Sequence, residues 1–158
     1  MFREMRKPHK QISPQECVRL LCSQKRGVLS LLGDDDYPYG LPINHYYNPE
    51  DGRLYFHCGL EGHMVDALKK HPKASFCVYD EGYRNEGDWA LNIRSVIVFG
   101  RIEIVQDRET ALAMVRRLCE KFTLDQEFIE NSIREELDQT LFFALVPEHI
   151  TGKQVREA

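Results

Sequence analysis

Long apolar runs are missing from this 158-residue sequence, and none approaches the roughly 18 residues that a membrane-spanning helix needs. The opening stretch Met1 to Lys10 is basic but lacks an apolar segment and a small-residue cleavage site behind it, so it does not read as a signal peptide. The expected location is therefore cytoplasmic, with no membrane partner. Cysteine is present but unpatterned: five residues, an odd number at irregular spacing and with no CxxC, fit free thiols in a reducing compartment better than a disulfide framework. An excess of positive charge is also absent. A net charge of −4 and an isoelectric point near 5.9 argue against a phosphate backbone as the main partner, so no nucleic acid is expected.

Signature loops are equally scarce. The chain contains no GxGxxG, no GxxxxGK[ST] and no GxSxG, which removes the usual dinucleotide, P-loop and serine-hydrolase readings. Histidine and cysteine do gather around His57, Cys58 and His63, yet their spacings match no standard zinc-ligand pair, and no metal is expected.

What remains is a single globular domain over residues 1–158, with 42% hydrophobic and 29% charged residues. Ser13-Pro14-Gln15-Glu16 combines an N-cap serine, a proline at the first helical position and a glutamate three residues on, so a helix of about three turns starts there and stops by Gly27. Strands are predicted over Val28–Leu32, Tyr39–Tyr47 and Arg53–Cys58, with the turns Gly33 to Asp36 and Asn48 to Gly52 between them. A helix from His63 must end near Pro72, because the residue before proline avoids the α region. A fourth strand covers Ala74–Tyr79. The Gly- and Asn-rich stretch Asp80 to Leu91 reads as a loop.

Alternation of Val96, Val98, Gly100, Ile102 and Ile104 against Arg101 and Glu103 predicts a strand over Ser95–Val105, with a bend or bulge at its mid-run glycine. Helical spacing of Leu112, Val115, Leu118, Cys119 and Phe122 precedes an acidic helix from about Asp125 to Asp138 and a last strand, Leu141–Val146. The fold class is mainly β (α+β), with six strands and flanking helices, and the hairpins exclude a doubly wound parallel sheet.

The densest candidate site is Leu54 to His63. A strand runs through Gly59 and Gly62 into a helix whose first N–H groups have no partner, an arrangement that attracts anions and suits a monophosphate. Junctions of this kind are common on structural grounds alone. His45, on the second strand, reads equally as a cofactor contact or as a core histidine.

Several segments, taken in order, resemble the nitroimidazole-resistance family within the pyridoxamine 5'-phosphate oxidase-like superfamily of FMN-binding split β-barrels. They are Met1 to Arg6, Gly27-Val28-Leu29, Leu32 to Tyr39, Leu54 to His57, Gly62-His63, Ser75 to Val78, Arg94 to Gly100 and His149 to Lys153. The resemblance implies a homodimer with FMN at the subunit interface, each site built from both chains. Pro42, Ile43, Asn44 and His45 would run along the isoalloxazine, His57, Cys58 and Gly59 would lie beside it, and Ser95 would touch it. Gly62, His63 and Met64, aided by Arg94, would hold the phosphate, although relatives carry lysine where this chain has Met64. The implied function is that of an FMN-dependent oxidoreductase, drawing on a nicotinamide donor and reducing an electron-poor acceptor such as a nitro group. His57 is the residue expected to be catalytic. A flavin- or haem-binding module without turnover, and a pyridoxamine-phosphate oxidase, are the other readings.

Overall fold

The protein is described by a computed structural model over residues 1–157. Its elements, in chain order, are α1 (Pro14–Ser23), β1 (Arg26–Leu32), β2 (Pro38–Asn44), β3 (Tyr46–Asn48), β4 (Arg53–Gly59), α2 (His63–Lys70), β5 (Lys73–Tyr79), β6 (Leu91–Ile104), α3 (Arg108–Glu120), α4 (Gln126–Glu136) and β7 (Thr140–Glu157). All strand pairs are antiparallel, and the sheet order is β2-β1-β5-β6-β7-β4-β3.

That order means the sheet closes on itself. Strands β2 and β3 sit at opposite edges of the sheet, yet only His45 separates them in sequence. The two edges must therefore meet at His45, and a sheet curled this far is a split barrel. The sequence reading made Tyr39–Tyr47 one strand and the total six. Among the described residues the count is seven, because the chain leaves one edge and joins the other at this residue.

Long strands β6 and β7 form the spine. The first half of β6 pairs with the C-terminal half of β7, its second half pairs with the start of β7, and the register shifts between Phe99 and Gly100. This is the bend expected at the mid-run glycine. A Cβ at Gly100 would run into the carbonyl oxygen of Val146, so only glycine permits so close a crossing. The spine carries a different neighbour on each flank: β5, Lys73 through Tyr79, pairs with Arg101 through Ser95 of β6, whereas β4 pairs with the start of β7.

Two boundaries differ from the sequence reading for a shared reason. Strand β6 starts at Leu91 rather than Ser95, and β7 runs on to Glu157 rather than stopping at Val146. These polar extensions pair with each other, Leu91 with Glu157 and Arg94 with Gln154. Ladder partners, and not hydrophobic alternation, define them. At the other end of the chain, α1 stops at Ser23, and Gly27 lies inside β1 opposite Ile43. The capping box is formed as expected, with Ser13 accepting from the Glu16 amide.

Phe56, Phe76 and Phe143 fill the barrel, the first packed edge-on against Phe76 at 5.2 Å and stacked on Phe143 at 5.1 Å. Leu21 of α1, wholly buried, closes one end. Each such side chain contributes roughly 1.5–3 kcal/mol through burial, and truncating Phe76 to alanine should cost about 3–5 kcal/mol. A separate small core of Val115, Ile129 and Ile133 holds α3 and α4 together beside β7.

Candidate functional site

Closure of the barrel brings β2 against β4 although they lie near opposite edges of the sheet. Pro42, Ile43 and Asn44 of β2, His57 of β4 and Arg26 of β1 line one open groove of about 430 Å³, within the range typical of small-molecule sites. Arg26 is opposite Asn44 in the β1–β2 ladder, and its Nε donates to Asn44 Oδ1 at 3.4 Å. Arg26 escaped the sequence reading because that reading began the first strand at Val28. The register of the β1–β2 hairpin is the signal that would have found it.

His57 is half-buried opposite Phe142 in β7, with the ring centroids 6.3 Å apart. Burial pushes its pKa down, and the carboxylate of Glu136 opposes that in part. The imidazole is thus held neutral at pH 7, with one N–H to donate and one nitrogen to accept. Cys58 packs against the barrel core, and burial raises its thiol pKa despite the opposing charge of Lys69. A protonated thiol is a poor nucleophile, and Cys58 is not on the lining of the groove.

From Cys58 the chain passes Gly59 and reaches Gly62, whose φ of +125° and ψ of 173° lie in a region essentially reserved for glycine. The space around Gly62 is open; backbone geometry, not crowding, demands glycine here. No side chain caps α2, and its first intrahelical bond runs from the Asp66 amide to the Gly62 carbonyl. The donors of its first turn are left for solvent or an anion.

His63 stacks on Tyr39 of β2 at 4.1 Å, and its Nε2 accepts from the Asp34 amide at 3.4 Å with the Asp34 carboxylate 3.8 Å away. These contacts fasten the start of α2 to the start of β2. Met64 packs partly into the main core and offers no charge. One end of β2 therefore meets the helix start and the other meets His57, five residues or roughly 17 Å apart. A long molecule with an anion at one end and a flat ring at the other fits these parts. The acidic turn Asp34 to Asp36 is the feature that works against the anion.

Three further expected site residues lie away from the groove. His45 is fully buried, a core histidine whose Nε2 is 2.7 Å from the Leu21 carbonyl. Arg94 is bound to Asp80, through its Nε at 3.1 Å and its amide at 2.9 Å, and lies over the Tyr83 ring. Ser95 faces Tyr79 and Lys153 across the ladder. Neither Arg94 nor Ser95 lines the groove of its own chain. No group of three or more His, Cys, Asp or Glu among the described residues is placed to hold a metal ion, and no helix among them is long and apolar enough to cross a membrane.

Solved structures share this architecture. A Bacteroides thetaiotaomicron protein provisionally assigned to 5-nitroimidazole antibiotic resistance superimposes with a TM-score of 0.75 at 17% identity, covering 92% of this chain and 87% of that one. A FAD-binding protein from Mesorhizobium loti gives 0.66 at 20%, covering 92% and 97%. A FAD and haem binding protein from Mycobacterium smegmatis gives 0.72 at 24%, covering 91% and 72%. Among curated proteins none matches. The model of a family described as pyridoxamine 5'-phosphate oxidase matches residues 13–154, nearly the whole barrel with its helices, and the chain belongs to that family.

Proposed function

We propose that the protein is an FMN-binding oxidoreductase that accepts electrons from a nicotinamide and delivers them to an electron-poor small molecule such as a nitro compound. The observation that carries this reading is strand β2, whose Pro42–Asn44 end lines a groove with His57 and whose Tyr39 packs on His63 at the start of the uncapped, glycine-started helix α2. The family match and the flavin-binding proteins of the same fold support it. Bound FMN supplies the redox chemistry. The chain's own residues position it: the α2 amides and Gly62 take the phosphate, Pro42 to Asn44 flank the ring, and His57 donates an N–H to the acceptor as negative charge develops there. Positioned proton donation of that kind is worth about 10² to 10⁴ in rate.

The same proposal includes a homodimer. Val28 and Phe99 are each 37% exposed and Tyr79 64%, and the ladder registers place all three, with Ser95, on the outward face of β1, β5 and β6. Pairing two barrels through that face buries it and allows Ser95 to serve the partner's groove. Sedimentation should show a dimer at micromolar concentration; a stable folded monomer would contradict a shared site.

An absorption spectrum of the purified protein is the first test, since flavin bands support the reading and a Soret band points instead to a haem module with His57 as axial ligand. Next, His63→Ala should weaken FMN far more than riboflavin, which lacks the phosphate; equal weakening would place the phosphate elsewhere. Finally, His57→Gln saturated with FMN should reoxidise more slowly than wild type with a nitroimidazole under anaerobic conditions. Equal rates would leave His57 as part of the wall.

A further inference from the structure

Past Arg26 the groove beside Pro42, Ile43, Asn44 and His57 has a neighbour. A second open hollow, of about 540 Å³, is lined by Ser23, Gln24, Lys25, Arg26 and Glu81, and Arg26 is the one residue the two share. Most of its wall is the turn from α1 into β1, and that turn is tied down. Lys121, at the end of α3, donates through Nζ to the carbonyls of Gln24 at 2.5 Å and His45 at 2.7 Å, so one ammonium fixes the backbone beside Arg26 and beside Asn44. The Arg26 Nε donates to Asn44 Oδ1 at 3.4 Å, and the Lys25 ammonium lies 5.4 Å from the centre of the Phe122 ring.

The charge on this hollow runs against that of the whole chain. The protein has a net charge of −4, and Arg94, Arg101, Arg116 and Arg156 each pair with a carboxylate. Lys25, Arg26 and Lys121 have no carboxylate partner among the described residues, and Glu81 is the single acid on the lining. Burial holds the Lys121 pKa down and the charge of Lys25 adds to that. These cations repel one another, and an anion beside them relieves the repulsion.

We propose that the Ser23–Arg26 hollow is an anion subsite adjoining the groove, and that Lys25 and Arg26 there take the diphosphate of the nicotinamide donor while the donor's ring lies in the groove. The start of α2 is already given to the cofactor's own phosphate, at the far end of β2, so these cations are left for the second ligand. A guanidinium matches phosphate oxygens in its fork, and an ammonium adds a point charge. Both hollows open to solvent, as a donor that enters and leaves at each turnover requires. Lys25 and Arg26 are exposed, so salt screens them and each contact adds modestly. Assignment of the occupant as the electron donor rests on the flavin reading; recognition of a diphosphate by Lys25 and Arg26 does not.

ADP-ribose, which carries the diphosphate but no nicotinamide, is the binding probe, titrated into the full chain by ligand-observed NMR with and without saturating FMN. The double variant Lys25→Gln/Arg26→Gln should weaken it about fivefold to thirtyfold, the sum of two exposed charge contacts. Glu81→Gln should tighten it about twofold to fivefold, and both differences should shrink as salt is raised. In the FMN-loaded protein the double variant should raise the KM for NADH relative to that for 1-benzyl-1,4-dihydronicotinamide, a donor without phosphates, by a similar factor. Should the double variant unfold by circular dichroism, Glu81→Gln carries the test in the opposite direction. Normal FMN binding, together with ADP-ribose that fails to bind or ignores all three substitutions, overturns the subsite and leaves the flavin reading intact. A double variant that weakens FMN as much as ADP-ribose also overturns it, because the cofactor's phosphate then occupies these cations. ADP-ribose binding that depends on Lys25, Arg26 and Glu81 in a chain that takes up no flavin upholds the subsite and sinks the flavin reading.

Discussion

Acid should destabilise this fold through one side chain, His45, at the corner where the barrel closes. Its ring is wholly buried. The Leu21 carbonyl can only accept, so the 2.7 Å contact to Nε2 fixes the proton there, and Nδ1 is left bare with no partner. The backbone is pinned as well, the His45 amide donating to the Lys25 carbonyl and Lys121 Nζ donating to the His45 carbonyl at 2.7 Å. Protonation would place an unpaired N–H and a positive charge in the core beside the Lys121 ammonium. Burial first, and Lys121 second, hold the His45 pKa down from 6.5 to about 4. Between those values the unfolded chain binds more protons than the folded one, so stability rises with pH across this window and falls as pH drops through it. At about 1.4 kcal/mol per unit the loss between pH 7 and pH 4 is about 3 kcal/mol. His45→Gln keeps an N–H for the Leu21 carbonyl and does not titrate, so carboxylate contributions cancel in the comparison. Urea unfolding followed by far-UV circular dichroism suits the assay, because Trp89 is 71% exposed and reports poorly on the core. The stability gap between wild type and His45→Gln should move by about 3 kcal/mol, against wild type, from pH 7 to pH 4. A gap constant across that range would refute the argument.

Lys121→Met should cost about 1–3 kcal/mol at pH 7, because the carbonyls of Gln24 and His45 lose their shared donor. Burial holds Lys121 down to about 8 from 10.5, so between those values the unfolded chain again binds more protons, and wild type, unlike the variant, should gain stability as pH rises through them. Gly100→Ala should destabilise by about 1–3 kcal/mol in denaturant titration, since its Cβ meets the Val146 carbonyl at the bulge. Met64→Lys should tighten FMN about tenfold to a hundredfold and leave riboflavin unchanged, as one charge-assisted contact would add; fluorescence titration of both ligands checks it.

Local chemistry made much of this protein legible in its sequence. The Ser13–Glu16 capping box, the stop before Pro72, the hairpin turns and the alternation from Val96 to Ile102 each depend on residues within a few positions of one another, and each stands in the structure. The bend at Gly100 was legible for the same reason, since an isolated glycine in an alternating run marks a place where a side chain does not fit. Tertiary structure alone decided what depends on partners distant in sequence. Whether Tyr39 to Tyr47 is one strand or two turns on the sheet edges meeting at His45, and the same closure settles that His45 belongs to the core. The extensions of β6 and β7 exist because each is the other's ladder partner. Arg26 and Tyr39 joined the candidate site only when the β1–β2 register and the packing of His63 were known, and the pairing of Arg94 with Asp80, away from the groove of its own chain, is likewise visible only in three dimensions. Periodicity records which face of an element is buried; it does not record what lies across that face, and the site is made of what lies across.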